Sequence, residues 1–243
     1  MVFNYIQSNF IKIKRSSFLI VHILAAFLFP IVLYLYWGQR GALNNDTAII
    51  YSYFQIIGAT IPLMFAIVSV DLKNMEANVG KYKNLLGYSS SHYKPFFYQL
   101  LFTWLMYVVT LSLSGMIFIF LTVHFLGVSY CFKAVLLTFI TYLVIGFVLC
   151  LLHQILSYVF GMGTVIGLGM AGLVVAALCE TSLGDSIWYF IPWAWPLRLS
   201  DIIFKHLAFS TLNMVAMIAI LILIWLAHKH IFSSWDIDNI SDE

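Results

Sequence analysis

The sequence predicts an all-α membrane protein in which several helices cross the bilayer. Hydrophobic residues make up 63% of the 243 residues and charged residues only 9%, whereas a soluble domain carries roughly 25% charged residues. Apolar runs of about 20 residues, the length that a spanning helix needs, recur along the chain. Apolar and polar residues do not alternate with the period of two that a membrane barrel requires. We therefore predict a single transmembrane domain over residues 1–243.

Six apolar segments are long enough to span a bilayer as helices, which satisfy their own backbone hydrogen bonds in lipid. They cover residues 17–37, 49–70, 97–123, 133–157, 163–180 and 207–228. No stretch between them is long and polar enough to fold as a separate soluble domain. The formal net charge of +2 is too small to favour nucleic acid as a partner.

The distribution of lysine and arginine predicts the orientation, because cytoplasmic loops are enriched in both residues. With the N-terminus inside, the cytoplasmic side carries eight of them: Lys12, Lys14, Arg15, Lys73, Lys81, Lys83, Lys94 and Lys229. The opposite side carries four: Arg40, Lys133, Arg198 and Lys205. We expect a multi-pass protein of the plasma membrane with both termini in the cytoplasm.

The lead ahead of the first span mixes apolar and polar residues. Its apolar members include Phe3, Tyr5, Ile6, Phe10, Ile11 and Ile13. Asn4, Gln7, Lys12 and Lys14 are interleaved with them. This pattern predicts an N-terminal interfacial helix along the inner face of the membrane. A plain solvated lead is the alternative.

A polar segment, residues 71–94, joins the second and third spans and holds most of the predicted cytoplasmic surface. Four apolar residues recur there at spacings of three and four: Met75, Val79, Tyr82 and Leu86. Charged residues occupy the other side, so the pattern predicts a short amphipathic helix. Its apolar face suits docking into a groove of a cytoplasmic partner. A helix resting on the membrane surface is the alternative.

The fifth span contains several glycines. Residues 167–172 match the letters of the dinucleotide-binding pattern GxGxxG, but no strand precedes them and no acidic residue follows about 20 positions on. We therefore reject a nucleotide site. Gly163 and Gly167 are instead about one helical turn apart, a spacing that lets helices pack closely in lipid. A flexing point during transport is the alternative.

Between the fifth and sixth spans, aromatic residues surround two prolines. The residues concerned are Trp188, Pro192, Trp193, Trp195 and Pro196. Proline interrupts a helix and tryptophan favours the membrane interface, so we predict an outer re-entrant segment. An aromatic loop that anchors the chain at the interface is the alternative.

Three ionisable residues are candidates for a transport pathway, because charged or polar groups inside a span are costly and often functional. His22 lies in the first span, His153 in the fourth, and Glu180 at the outer end of the fifth. Hydrogen-bonded packing is the alternative for the histidines. Glu180 could meet a cationic substrate or Arg198, or simply reach water. Paired carboxylates and a Ser/His/Asp set are missing from any shared face, so we predict no catalytic residue. The seven histidines are scattered, and the two closest, His228 and His230, would point to different sides of a helix, so we predict no metal site.

The loop after the second span resembles the permeases of type 2 ABC exporters. Their pattern there is an acidic residue, a glycine, an aromatic residue and paired leucines before a small polar turn. The matching residues here are Glu76, Gly80, Tyr82, Leu85, Leu86 and Ser89 to Ser91. More narrowly, the chain is similar to the lantibiotic immunity permeases in its lead (residues 10–16), residues 80–86, Pro192 and Trp193, and a short tail with Trp235.

This resemblance implies a six-helix permease with an interfacial N-terminal helix, a coupling helix between the second and third spans, and an outer re-entrant segment. It implies a second permease subunit, homologous or identical, and two copies of a soluble ATPase that hold ATP and Mg, with no cofactor on this chain. ATPase coupling would involve Asp71, Glu76, Gly80, Tyr82, Leu85 and Leu86. Closure of the ATPases would then expel an amphipathic antimicrobial peptide from the membrane.

One departure from the family concerns partner docking. The family commonly has an arginine in the turn after the paired leucines, where this chain has Ser91, His92, Tyr93 and Lys94.

Three alternatives stay open: an exporter of another amphipathic drug, lipid or toxin, a membrane-embedded enzyme acting on lipid-linked substrates, and an assembly scaffold. A membrane enzyme should cluster His, Asp or Glu at one depth, and a scaffold should purify without any ATPase.

Overall fold

The computed structural model describes residues 9–10, 12–14, 16–40, 46–78, 82 and 92–235. Within these ranges six helices are long and apolar enough to cross a membrane, and there is no strand. They are α1 (Ser17–Gln39), α2 (Asp46–Asn78), α3 (Tyr93–Leu126), α4 (Phe132–Val159), α5 (Met162–Cys179) and α7 (Thr211–Ser233), with a short helix α6 (Trp195–Phe204) before the last. The prediction of an all-α protein with six membrane-length helices is confirmed.

Helices α2 and α3 extend beyond the apolar segments from which they were predicted. They contain 33 and 34 residues, whereas a bilayer needs about 20. Their additional turns carry polar side chains, which a search for apolar runs leaves out. Met75, predicted in a separate amphipathic helix, therefore belongs to the end of α2, while Val79 and Leu86 lie outside the described residues.

Helix α1 changes its winding within the span. Leu24–Leu28 form a π-helix between the α-helical segments Ser17–Ile23 and Phe29–Gln39. Pro30 is the second residue after the π-helix, and a proline ring collides with the carbonyl four residues earlier in a regular α-helix. The wider π turn leaves room for the ring, so the helix continues past Pro30 as a single span.

Helix α2 lies at the centre of the bundle and packs most extensively against α5 and α4. Phe54, Ile61 and Phe65 are among its fully buried side chains. Helix α7 lies at the periphery: only 6% of its most apolar stretch is buried, compared with 61% for α2. Burial in this protein is therefore concentrated around one helix, and the outer helices present apolar surface to their surroundings.

Successive long helices run in opposite directions, so the bundle has two distinct ends. We call one the Tyr82 end; it contains Lys12, Glu76, Tyr82, Tyr158 and Trp235. We call the other the Asp201 end; it contains Tyr51, Glu180, Arg198, Asp201 and Lys205. Most of the charged contacts described below lie at one or the other end.

The chain between α5 and α7 folds back into the bundle. Short 3-10 turns at Ser182–Gly184, Trp188–Phe190 and Pro192–Ala194 lead into α6. The Trp193 ring lies against Gly172, which is seven residues from the end of α5 and hence roughly 10 Å inside the bundle. Helix α6 then returns to the Asp201 end.

Candidate functional site

At the Tyr82 end, the end of α2 is joined to the N-terminal lead by an ion pair. Lys12 Nζ lies 2.6 Å from Glu76 Oε1, and the Glu76 side chain is only 3% exposed. A buried carboxylate requires such a partner because its charge has lost contact with water. Glu76 therefore fixes the lead against α2 and does not present its charge to another protein.

The other predicted coupling residues are described only in part. Asp71 is half-buried and bonded to the Ser17 side chain at the start of α1, while its Oδ2 has no partner among the described residues. Gly80, Leu85 and Leu86 lie outside the described residues. Both acidic residues of the predicted set thus contact the N-terminal part of the same chain.

Tyr82 is the centre of an aromatic cluster. Its backbone φ of 62° lies in the left-handed region that favours glycine, and its N–H donates to the Glu76 carbonyl over 3.2 Å. The ring packs on Trp235 with centroids 5.0 Å apart, and Phe96 and Phe232 complete the buried core of the cluster. The cluster thereby joins the segment after α2 to the start of α3 and the end of α7.

His153 and Trp193, which the sequence placed in separate candidate sets, are brought together. Trp193 Nε1 donates to His153 Nε2 over 3.1 Å, and His153 is fully buried. Because Nε2 accepts this bond, the imidazole is neutral and carries its proton on Nδ1, which has no partner among the described residues. The pair positions the turn at Pro192–Ala194 within the bundle.

The hydrogen bond and the ring contact that His22 makes in the described structure are both with Phe18 of its own helix. Its Nδ1 lies 2.8 Å from the Phe18 carbonyl, and its ring stacks on the Phe18 ring with centroids 4.4 Å apart. Neither His22 nor His153 lines the large cavity described below. The contacts of both histidines correspond to the packing alternative.

A polar cluster that the sequence analysis missed connects three spans. Gln154 Nε2 donates to Gln99 Oε1 over 2.9 Å, and His228 Nε2 lies 2.8 Å from Gln154 Oε1. All three residues are buried and lie on α3, α4 and α7. Glutamines inside apolar spans are visible in the sequence, and a search that includes neutral polar residues as well as ionisable ones would have selected them.

At the Asp201 end, two carboxyl groups meet around one tyrosine. The Tyr51 hydroxyl lies 3.1 Å from Glu180 Oε1 and also bonds Asp201 Oδ1. Lys205 Nζ lies 2.5 Å from the same Asp201 oxygen. Glu180 therefore meets Tyr51 and Asp201 and not Arg198, the partner considered from the sequence.

The two carboxyl groups have different protonation behaviour. Burial, followed by the hydrogen bond and the charge of Asp201, raises the pKa of Glu180 to about 7. Burial opposes ionisation of Asp201 as well, but hydrogen bonds involving Lys205, Tyr51 and Glu180 outweigh it and lower the pKa of Asp201. Asp201 is thus the charged member of the pair, and Glu180 titrates near neutral pH.

The raised pKa of Glu180 predicts that acidity stabilises the protein. A carboxyl group whose pKa is higher in the folded state contributes full stability below its ordinary pKa of 4.5, and loses that contribution as the pH rises through about 7. We expect the thermal midpoint in detergent to fall over this interval. Glu180→Gln, which cannot titrate, should flatten the curve. An equally steep curve for Glu180→Gln would contradict the assignment.

Arg198 closes the end of α5. Its Nε donates to the Cys179 carbonyl over 2.5 Å, and Nη2 donates to the Thr181 carbonyl over 2.8 Å and to Asp185 over 2.6 Å. The last carbonyls of a helix have no partner within it and carry partial negative charge. Arg198 satisfies the carbonyl of Cys179, the last residue of α5, and so fixes α6, on which it lies, to the end of α5.

The close approach of α5 to its neighbours uses glycines other than the predicted pair. A Cβ added at Gly163 or Gly167 would have no other atom within 4 Å. At Gly169 it would meet Ala66 and the α2 backbone, and at Gly172 it would meet Trp193. Within this chain, Gly169 and Gly172 are therefore the helix-packing glycines of α5.

A cavity of about 410 Å³ lies between α1, α2 and α3. Its volume falls in the range of roughly 300–1,000 Å³ that is usual for ligand pockets. Its lining is almost entirely apolar and includes Leu24 and Leu28 of the π-helix, Ile61, Met64 and Leu111. The sequence could not reveal this cavity, because it depends on how three helices separated along the chain pack together.

Among the described residues, no group of three or more His, Cys, Asp or Glu side chains is arranged to hold a metal ion. The comparisons found no matching family model, no matching curated protein and no matching solved structure.

Proposed function

We propose that this chain is the permease subunit of an ATP-driven ABC-type exporter that removes an amphipathic antimicrobial peptide from the membrane. The observation that carries the proposal is the Tyr82 cluster, which joins the segment after α2 to several spans. A force applied to that segment by a soluble ATPase would reach α3 and α7 through aromatic contacts. The resemblance of residues 76–86 to type 2 ABC exporter permeases supports the same assignment.

The proposed orientation places the Tyr82 end in the cytoplasm, because the distribution of lysine and arginine along the chain favours that side. The lead would lie on the inner membrane surface, held to α2 by the pair between Lys12 and Glu76. Residues 182–204 would then form the outer re-entrant segment, and the contact between Trp193 and His153 supports this interpretation. Glu76 would act by positioning the coupling segment, since its side chain is buried.

A lipid-embedded substrate suits the cavity between α1, α2 and α3. The hydroxyl groups of Thr60 and Thr110, which line it, are already bonded to carbonyls of their own helices. An apolar surface without free polar groups attracts apolar ligands by the hydrophobic effect and gives little hydrogen-bond specificity. The apolar face of an amphipathic peptide is such a ligand.

Co-purification with an ATPase tests the proposal. We expect the tagged chain, expressed with its ATPase, to retain that ATPase through purification in mild detergent. Leu86→Glu should reduce the retained ATPase by about tenfold, since a charge in an apolar docking contact costs 1.4 kcal/mol or more. Leu183→Glu introduces the same change at a residue that is 74% exposed at the Asp201 end, and should have no effect. No retained ATPase, or equal retention by both variants, would contradict the proposal.

A further inference from the structure

Lys205 occupies a position between a carboxylate and an aromatic ring. Its Nζ lies 2.5 Å from Asp201 Oδ1 and 5.1 Å from the centre of the Tyr51 ring. A carboxylate and an aromatic face are the two groups that bind an ammonium most effectively in proteins, the first by a charge-assisted hydrogen bond and the second by the cation–π interaction. The environment of Lys205 Nζ is thus a small recognition site for an ammonium group.

The two members of this ion pair differ in how much they depend on it. The Asp201 side chain is 7% exposed and the Lys205 side chain is 51% exposed. A buried carboxylate needs a cation, whereas a half-exposed lysine regains contact with water when it leaves the pair. A lysine paired with a residue four positions earlier on a helix also gains little from the pair. Another ammonium could therefore replace Lys205 at small cost, provided that it reaches Asp201.

Space for such a replacement exists beside the carboxylate. Asp201 lines a cavity of about 140 Å³ together with Trp188, Arg198 and Asn213, whereas Tyr51 and Lys205 do not line it. Arg198 brings a positive charge to this cavity, but its guanidinium already binds Asp185 and the carbonyls at the end of α5. The carboxylate of Asp201 is neutralised only by Lys205 among the described residues.

We infer that Asp201 and Tyr51 form a binding site for an ammonium group, which Lys205 fills until a lysine side chain of a cationic amphipathic peptide replaces it. The inference rests on the proposed function, which supplies an amphipathic peptide as substrate. A peptide is preferred to a lipid headgroup because the phosphate next to the headgroup's ammonium would approach the carboxyl groups of Asp201 and Glu180 and be repelled.

The test measures peptide binding to the purified full-length chain in detergent. The probe is a fluorescent helical peptide of leucine and lysine, and its copy with acetylated lysines serves as the uncharged control. Removing the competing tethered ammonium in Lys205→Met should tighten binding of the charged peptide by about tenfold, because a tethered group competes at millimolar effective concentration. The acetylated peptide should bind the native chain and Lys205→Met equally.

A second variant identifies the carboxylate. Adding Asp201→Asn, which preserves the shape of the Asp201 side chain, to Lys205→Met should abolish the gain in affinity for the charged peptide. Thermal unfolding checks that this double variant folds. Lys205→Arg, which keeps the charge, should show no gain in affinity. Equal binding of the charged peptide to the native and Lys205→Met proteins would overturn the inference. A gain in affinity of Lys205→Met for phosphatidylethanolamine micelles, with none for the peptide, would overturn it as well. If Lys205→Met binds the charged peptide more tightly but no ATPase co-purifies with the chain, the ammonium site stands and the exporter proposal falls. If the ATPase is retained but Lys205→Met shows no gain in affinity, the exporter proposal stands and the ammonium site falls.

Discussion

Gly169→Ala should destabilise the folded protein by about 2 kcal/mol, the cost expected when a well-packed contact receives one extra methyl group. The new methyl would meet the Ala66 side chain and lie 3.2 Å from the backbone oxygen of Pro62. Helix backbone cannot turn aside as a flexible side chain can, so α5 would have to move away from α2. Since α2 is the most buried helix of the bundle, the effect should reach the whole fold.

The control for this substitution lies on the same helix. Gly167→Ala adds the same methyl group where no other atom lies within 4 Å, so it should leave stability within about 0.5 kcal/mol of the native value. Unfolding of both variants in mixed micelles, with increasing sodium dodecyl sulfate, measures the difference. Equal loss in the two variants would mean that the contact between α5 and α2 is not as close as described.

Lys12→Met should cost about 3 kcal/mol, because it leaves the buried carboxylate of Glu76 without its cation. The loss is larger than for an exposed ion pair, since the Glu76 side chain cannot turn to water without disrupting the end of α2. We expect the unfolding midpoint to drop and the lead to become accessible to protease.

A second substitution should repair this defect. Glu76→Gln on the Lys12→Met background removes the unpaired charge and is expected to restore most of the lost stability, because an uncharged amide is cheaper to bury than a carboxylate. The four proteins of this double-mutant cycle give the coupling energy directly. Additive losses, with the double variant less stable than either single variant, would argue against a direct pair between the two residues.

The six spans could be predicted because lipid imposes a length of apolar sequence on every crossing helix. Which glycines of α5 pack against neighbouring helices could not be predicted. Small residues four positions apart occur at several registers of α5, and only the helices packed against α5 decide which register faces inward. Gly163 and Gly167 share a face that has no neighbour in the described chain, while Gly169 and Gly172 face α2 and Trp193.

The candidate site at the Asp201 end illustrates a second limit of sequence reasoning. Glu180 stands out in the sequence because it ends an apolar span, whereas Asp201 does not, because residues 182–204 have no regular polar pattern. Tyr51 and Asp201 meet although 150 positions separate them. Local periodicity holds no information on such a contact; it arises because α6 returns beside the start of α2.

The Tyr82 cluster also sets the order in which the protein can mature during synthesis. Tyr82 packs on Trp235, and the roughly 150 residues between them take on the order of 10 s to translate. All six spans therefore enter the bilayer before the segment after α2 acquires its final contacts. A nascent chain cut short just before Trp235 would be inserted yet would lack the contact that completes the Tyr82 cluster.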